Sequence, residues 1–162
     1  MQLFAIPTGN FKLDGGAMFG VVPKSLWSKH YPSDENNMIN MTMRCLLVVD
    51  GDRRILINNG IGDKQSEKFF SHYHLNGDDS LIKSLAAAGF APEDITDMFL
   101  THLHFDHAGG SVKYKADRSG FETVFPNATY WISAAQWEWA MHANRRESAS
   151  YLKENIQPIE ES

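Results

Sequence analysis

The sequence predicts a mixed α/β chain in which strands come first and strands alternate with helices later. Three observations carry this. Thr42–Val49 is a β-rich run that Asp50-Gly51-Asp52 turns back into a second strand, Arg54–Ile57. From Leu81 the period changes, so that Leu81, Ile82, Leu85 and Ala88 fall on one helical face. Met98-Phe99-Leu100 is then a short apolar strand that runs directly into a group of histidines.

The other elements follow in order. Phe4–Ile6 and Phe19–Val22 read as strands, with Asn10, Asp14-Gly15-Gly16 and Pro23 as turn signals between and after them. Ser33 to Asn37 is a polar loop. Asp78 or Asp79 caps the helix at Leu81, and Gly89 stops it. Pro92-Glu93-Asp94 is a helical turn with proline first and acids near its positive end. The stretch after the histidines is a loop rich in Gly, Lys and Asp, and Thr129–Ile132 is a strand. Ser133 with Gln136 forms a capping box for a helix that carries Trp137, Ala140 and Met141 on one face, and Ala149–Asn155 is a last helix.

Length and composition bound the rest. A chain of 162 residues supports one domain with a core and is short for two, so residues 1–162 are read as a single domain. Fifteen basic residues against twenty acidic ones give a formal charge of -5. Arg53–Arg54 and Arg145–Arg146 are too isolated to track phosphates, which argues against a nucleic-acid partner. Cys45 is the only cysteine, and Leu46-Leu47-Val48-Val49 beside it make it a core hydrophobe. The first residues lack a basic segment and a long apolar one, and no run approaches the roughly 20 apolar residues of a membrane span. A soluble cytoplasmic protein is the simplest expectation.

Chemistry concentrates in Thr101-His102-Leu103-His104-Phe105-Asp106-His107-Ala108-Gly109-Gly110. Imidazole nitrogen and carboxylate oxygen suit zinc and similar divalent ions. On an extended chain His102 and His104 point to the same side and can share one ion. Asp106 and His107 are adjacent and would point apart, so a turn is needed to aim both at a second ion, and Gly109 and Gly110 give the backbone freedom for it. The competing reading is a solvated loop or a set of core histidines. Three histidines and an aspartate at the end of an apolar strand favour the metal.

The motif Thr-His-x-His-x-Asp-His-x-Gly-Gly resembles the signature of the metallo-β-lactamase superfamily. Asp14-Gly15-Gly16-Ala17-Met18-Phe19-Gly20, Leu46-Leu47-Val48 and Ile55-Leu56-Ile57-Asn58-Asn59-Gly60-Ile61-Gly62-Asp63 are similar to the early strands and glycine loop of its branch of quorum-quenching lactonases and organophosphate hydrolases. The resemblance implies an αββα sandwich, of which this chain is the first half to two-thirds. It assigns His102 and His104 to a first metal and Asp106 and His107 to a second, with two zinc ions in a complete site and manganese or iron as alternatives. It further implies that a metal-held hydroxide attacks a carbonyl or phosphoryl centre, with Asp106 as the catalytic residue that orients it or shuttles a proton.

The pattern departs from the family at two places. An aspartate is usual where this chain has Asn58; that residue supports the site from outside the ligand shell, and the plainer alternative is that Asn58 is a turn residue. The third histidine, bridging aspartate and final histidine of the family come from the later half of the fold, which this chain does not reach. His30, His72, His74 and His142 read as surface or packing residues and do not replace them. A truncated chain with open apolar faces is therefore expected to self-associate or to pair with a carboxy-terminal part.

Phe19, Trp27 and Phe105 either line an apolar substrate cleft or pack in the core, packing being the commoner fate. Trp137 and Trp139 read as interface or core residues. The leading expectation is a metal-dependent hydrolase of a small ester-like substrate, a lactone such as an acyl-homoserine lactone first and a phosphotriester second. Glyoxalase II-like thioester hydrolysis, β-lactam hydrolysis and sulfur dioxygenation share the resemblance. A non-catalytic interaction module is the reading from a different class.

Overall fold

The computed structural model describes residues 1–160. It opens with a long strand, β1 (Gln2–Asp14), bent at a register shift between Pro7 and Asn10 where Gly9 takes a φ of 107°. Asn10, read as a turn, lies within this strand. Asp14-Gly15-Gly16 is a helix start: the Asp14 carboxylate accepts from the Ala17 amide and caps α1 (Gly15–Phe19). Phe19–Val22, expected as a strand, is the end of α1 followed by a turn. Local capping by Asp14 outweighs the β preference of the valines. A short α2 (Lys24–Trp27) follows.

The hairpin matches expectation in place and is longer: β2 (Met38–Asp50) pairs antiparallel with β1 and with β3 (Arg53–Ile57). Two small helices come next, α3 (Glu67–Ser71) and α4 (Leu81–Ala87). The α4 cap is Ser80, whose hydroxyl accepts from the Lys83 amide, and neither Asp78 nor Asp79 takes that place. Leu85 is buried as its period requires, while Ile82 is exposed. Gly89, at φ 88°, ends the turn.

β4 (Asp97–Phe99) adds parallel to β3 and leads into α5 (Phe105–Ala108). The stretch expected to be a loop is a hairpin of β5 (Val112–Tyr114) and β6 (Phe121–Thr123). β7 (Thr129–Trp131) completes the main sheet beside β4, and α6 (Ala134–Met141) starts where the Ser133 hydroxyl accepts from the Gln136 amide. The last expected helix is broken: a 3-10 turn at Ser148–Ser150 precedes α7 (Lys153–Ile156).

The main sheet has the order β1-β2-β3-β4-β7. Its two faces differ. Phe4, Leu47, Leu56, Met98 and Tyr130 are paired across it in one row facing the core, where Leu85 of α4 and Ala140 of α6 join them. The neighbouring row, Ala5, Leu46, Ile57, Phe99 and Trp131, points the other way. Phe99 is 46% exposed and Trp131 48%, so this apolar face is open. Among the described residues no helix is long and apolar enough to cross a membrane.

Candidate metal centre

The histidine cluster sits where β4 runs out at the carboxyl end of the sheet. The chain bends at Thr101 and runs through 102–104 outside any helix or strand, and His104, itself in an extended conformation, is the N-cap residue of α5. The turn expected for Asp106 and His107 is thus one turn of helix. The loop after β3 lies against it, with the Asn59 amide donating to His107 O at 2.9 Å and the Gly110 amide to Gly60 O at 3.0 Å. A Cβ on Gly109 would collide with the Ile61 carbonyl, and one on Gly62 with the Gly109 carbonyl. Both glycines are required by this close approach.

Two side chains that sequence reasoning passed over brace the same corner. Lys64, 6% exposed, donates its Nζ to Gly109 O just past the end of α5. Burial pushes its pKa down to about 8, against the pull of Asp63 and Glu154. Tyr151 is buried, holds its ring 4.8 Å from that of His104 and accepts from Gln136 Nε2 at 3.2 Å. Nothing in the local pattern around either residue marks it.

The structure brings all four expected donors together. The His102 ring lies 4.7 Å from that of His104 and 4.0 Å from that of His107. His107 Nε2 is 3.3 Å from Asp106 Oδ2. Thr101 Oγ1 is 3.1 Å from His102 Nδ1. Asn58 links the two ends: its Oδ1 accepts from the Thr101 amide at 3.1 Å and from Thr101 Oγ1 at 3.0 Å, and its Nδ2 is 3.1 Å from His107 Nδ1. Asn58 itself sits at φ 61°, in the left-handed region that asparagine tolerates.

Burial and the neighbouring histidines bring His102 down to about 4, and burial lowers His104 as well. Both rings are therefore neutral, the form that ligates metals. Burial alone would raise the Asp106 carboxyl, but the contact with His107 outweighs it and holds it below its ordinary value. The donor types suit a divalent cation, and the 3.3 Å between Asp106 Oδ2 and His107 Nε2 matches the separation of about 3.3 Å expected of two tetrahedral zinc ligands with bonds of about 2.0–2.1 Å. Among the described residues, though, no three His, Cys, Asp or Glu side chains form a closed metal-binding set. Nδ1 of His102 and both ring nitrogens of His107 are engaged with Thr101, Asn58 and Asp106.

A cavity of about 210 Å³ opens beside the pair, lined by Phe11, Met43, Cys45, Asn58, Asp106 and His107. A larger one of about 370 Å³ lies behind the glycine loop, against Asn59, Gly62, Leu81 and Val112, and touches none of the four donors. Donor chemistry outranks size here, and the smaller cavity is the relevant one. Phe105 is buried against Phe69 and Tyr73, and Phe19 stacks on Trp27 at 4.8 Å, so packing accounts for both rings. Trp137 packs against the core, and exposed Trp139 donates to Glu147 at 2.7 Å. His30, His72, His74 and His142 are exposed.

Over residues 44–118 the chain matches the metallo-beta-lactamase superfamily. More particularly, it is similar to the N-acyl homoserine lactonase of Bacillus cereus, 26% identical over 97% of this chain and 56% of that protein. Among solved structures, a probable metal-dependent hydrolase from Staphylococcus aureus superimposes with a TM-score of 0.86 at 35% identity, covering 95% of this chain and 54% of that one. AidC, a dizinc quorum-quenching lactonase in complex with a homoserine product, shares the fold with a TM-score of 0.70 at 24% identity, over 98% and 55%. The chain thus spans about half the length of these relatives.

Proposed function

We propose that this chain is part of a divalent-metal-dependent hydrolase that opens a small ester-like substrate, a lactone before a phosphotriester. The observation that carries the proposal is the convergence of His102, His104, Asp106 and His107 at the end of β4. His102 and His104 are assigned to a first ion, and Asp106 and His107 to a second. A bound divalent ion supplies a water of pKa about 7 and polarises the oxygen under attack. Zinc fits the donor set, and it is the metal in the name of AidC.

The chain's own residues divide the remaining work. Asp106, kept ionised, accepts a proton at its carboxylate oxygen or orients the attacking water. Lys64, the glycine interlock and Tyr151 hold α5 and the His104 ring in place. The lactone preference rests on the curated relatives, which are named N-acyl homoserine lactonases. The open row of Ala5, Leu46, Ile57, Phe99 and Trp131 is covered by a second copy of the chain or by the remainder of a longer protein. Turnover tests this. The zinc-loaded protein is expected to hydrolyse N-hexanoyl-homoserine lactone faster than paraoxon. Zinc uptake without hydrolysis of either would leave an interaction module, as the chain's half coverage of its relatives allows.

A further inference from the structure

A single amide orientation fixes where the protons sit on two histidines. The Thr101 backbone N–H can only donate, and it points at Asn58 Oδ1 from 3.1 Å, so that atom must be the amide oxygen. Thr101 Oγ1, 3.0 Å from the same oxygen, must then spend its one proton there. His102 Nδ1, 3.1 Å from that hydroxyl, is left facing a lone pair and carries a proton, so His102 Nε2 is free to ligate. On the other side Asn58 presents its NH₂ to His107 Nδ1 at 3.1 Å, which makes Nδ1 the acceptor. The His107 proton therefore sits on Nε2, where Asp106 Oδ2 accepts it at 3.3 Å.

We infer that Asn58 holds His102 and His107 in opposite tautomers, so that this chain offers a ready ligand for its first divalent ion and a blocked one for its second. The inference rests on the metal reading of the site. His107 Nε2 and Asp106 Oδ2 stand at the right separation for one ion, but a proton lies between them. Moving it to Nδ1 breaks the Asn58 contact, and turning the amide to accept it instead sets an NH₂ against the Thr101 N–H. A carboxylate at position 58 has no such conflict: one oxygen accepts from Thr101, the other from a His107 Nδ1–H, and Nε2 is released. Asn58 is therefore a positioning residue that makes loading of the site unequal.

Ring spectra of the ¹⁵N-labelled, metal-free chain test this directly. The expected result is a proton on Nδ1 of His102 and on Nε2 of His107, with Asn58→Asp moving the His107 proton to Nδ1. Zinc titration of the same proteins is expected to show the second equivalent binding about 10–100-fold more tightly in the variant. A His107 Nδ1–H in the unmutated chain overturns the inference without recourse to the variant. So does a gain in affinity with unchanged tautomers, which would be the added charge acting alone. If neither protein takes up a first equivalent, the metal reading fails, while the spectra still decide the tautomers.

Discussion

His102 carries its neutrality into the pH dependence of the fold. Its folded form takes a proton only near pH 4, against 6.5 for an unperturbed ring. Between those values the unfolded chain binds more protons, so stability falls as pH drops through that window. Replacing His102 by Gln is expected to flatten that part of the stability curve, measured by urea unfolding at several pH values; an unaltered slope would count against the burial of this ring. Lys64 acts at the same scale. Its Nζ is spent on the Gly109 carbonyl, and Lys64→Met removes that donor from a buried acceptor. A loss of about 1–3 kcal/mol in urea unfolding is expected. The four donors were legible because their chemistry and spacing share one short motif. Lys64 and Tyr151 were not, and neither was the part played by Thr101, because each acts through a contact that only folding creates: Thr101 with Asn58, Lys64 with Gly109, Tyr151 with His104.

At the scale of elements, the centre depends on the loop after β3 lying flush against α5. Gly109→Ala places a methyl against the Ile61 carbonyl, and displacing that backbone is expected to cost about 2–4 kcal/mol. The variant should also release zinc more readily than the unmutated chain in a competition with chelator. Unchanged stability would show that the loop can retreat. Ser80→Ala, by contrast, removes one cap and should cost about 1 kcal/mol without touching zinc affinity. The β2–β3 hairpin, β4 and α6 were legible because pattern and turn chemistry agree there. The β5–β6 hairpin was hidden by a polar composition that reads as loop. The stretch Phe19–Val22 misled because the Asp14 cap extends helix into it.

For the molecule as a whole, the sheet buries one face and leaves the other open. Asp97 stands on the open side, held to about pKa 2 by Arg53, which donates to both of its oxygens, with Trp131 donating as well. Around it Phe99 and Trp131 expose an apolar surface that water covers poorly. Light scattering at rising concentration should show self-association that Phe99→Lys with Trp131→Lys reduces, if a second copy covers this face. A monomer at every concentration would direct attention to the remainder of a longer protein. The mixed α/β class was legible from the order of elements. Which residues form the open row was not, since that depends on a register set by pairing of β1, β2, β3, β4 and β7.

Whether the side chains at the end of β4 hold divalent cations is read out by equilibrium dialysis against zinc. The unmutated chain should retain zinc, and the double variant His102→Ala with His104→Ala, checked for folding by circular dichroism, should lose it. Equal retention by the folded variant would contradict the assignment of these side chains to a metal centre.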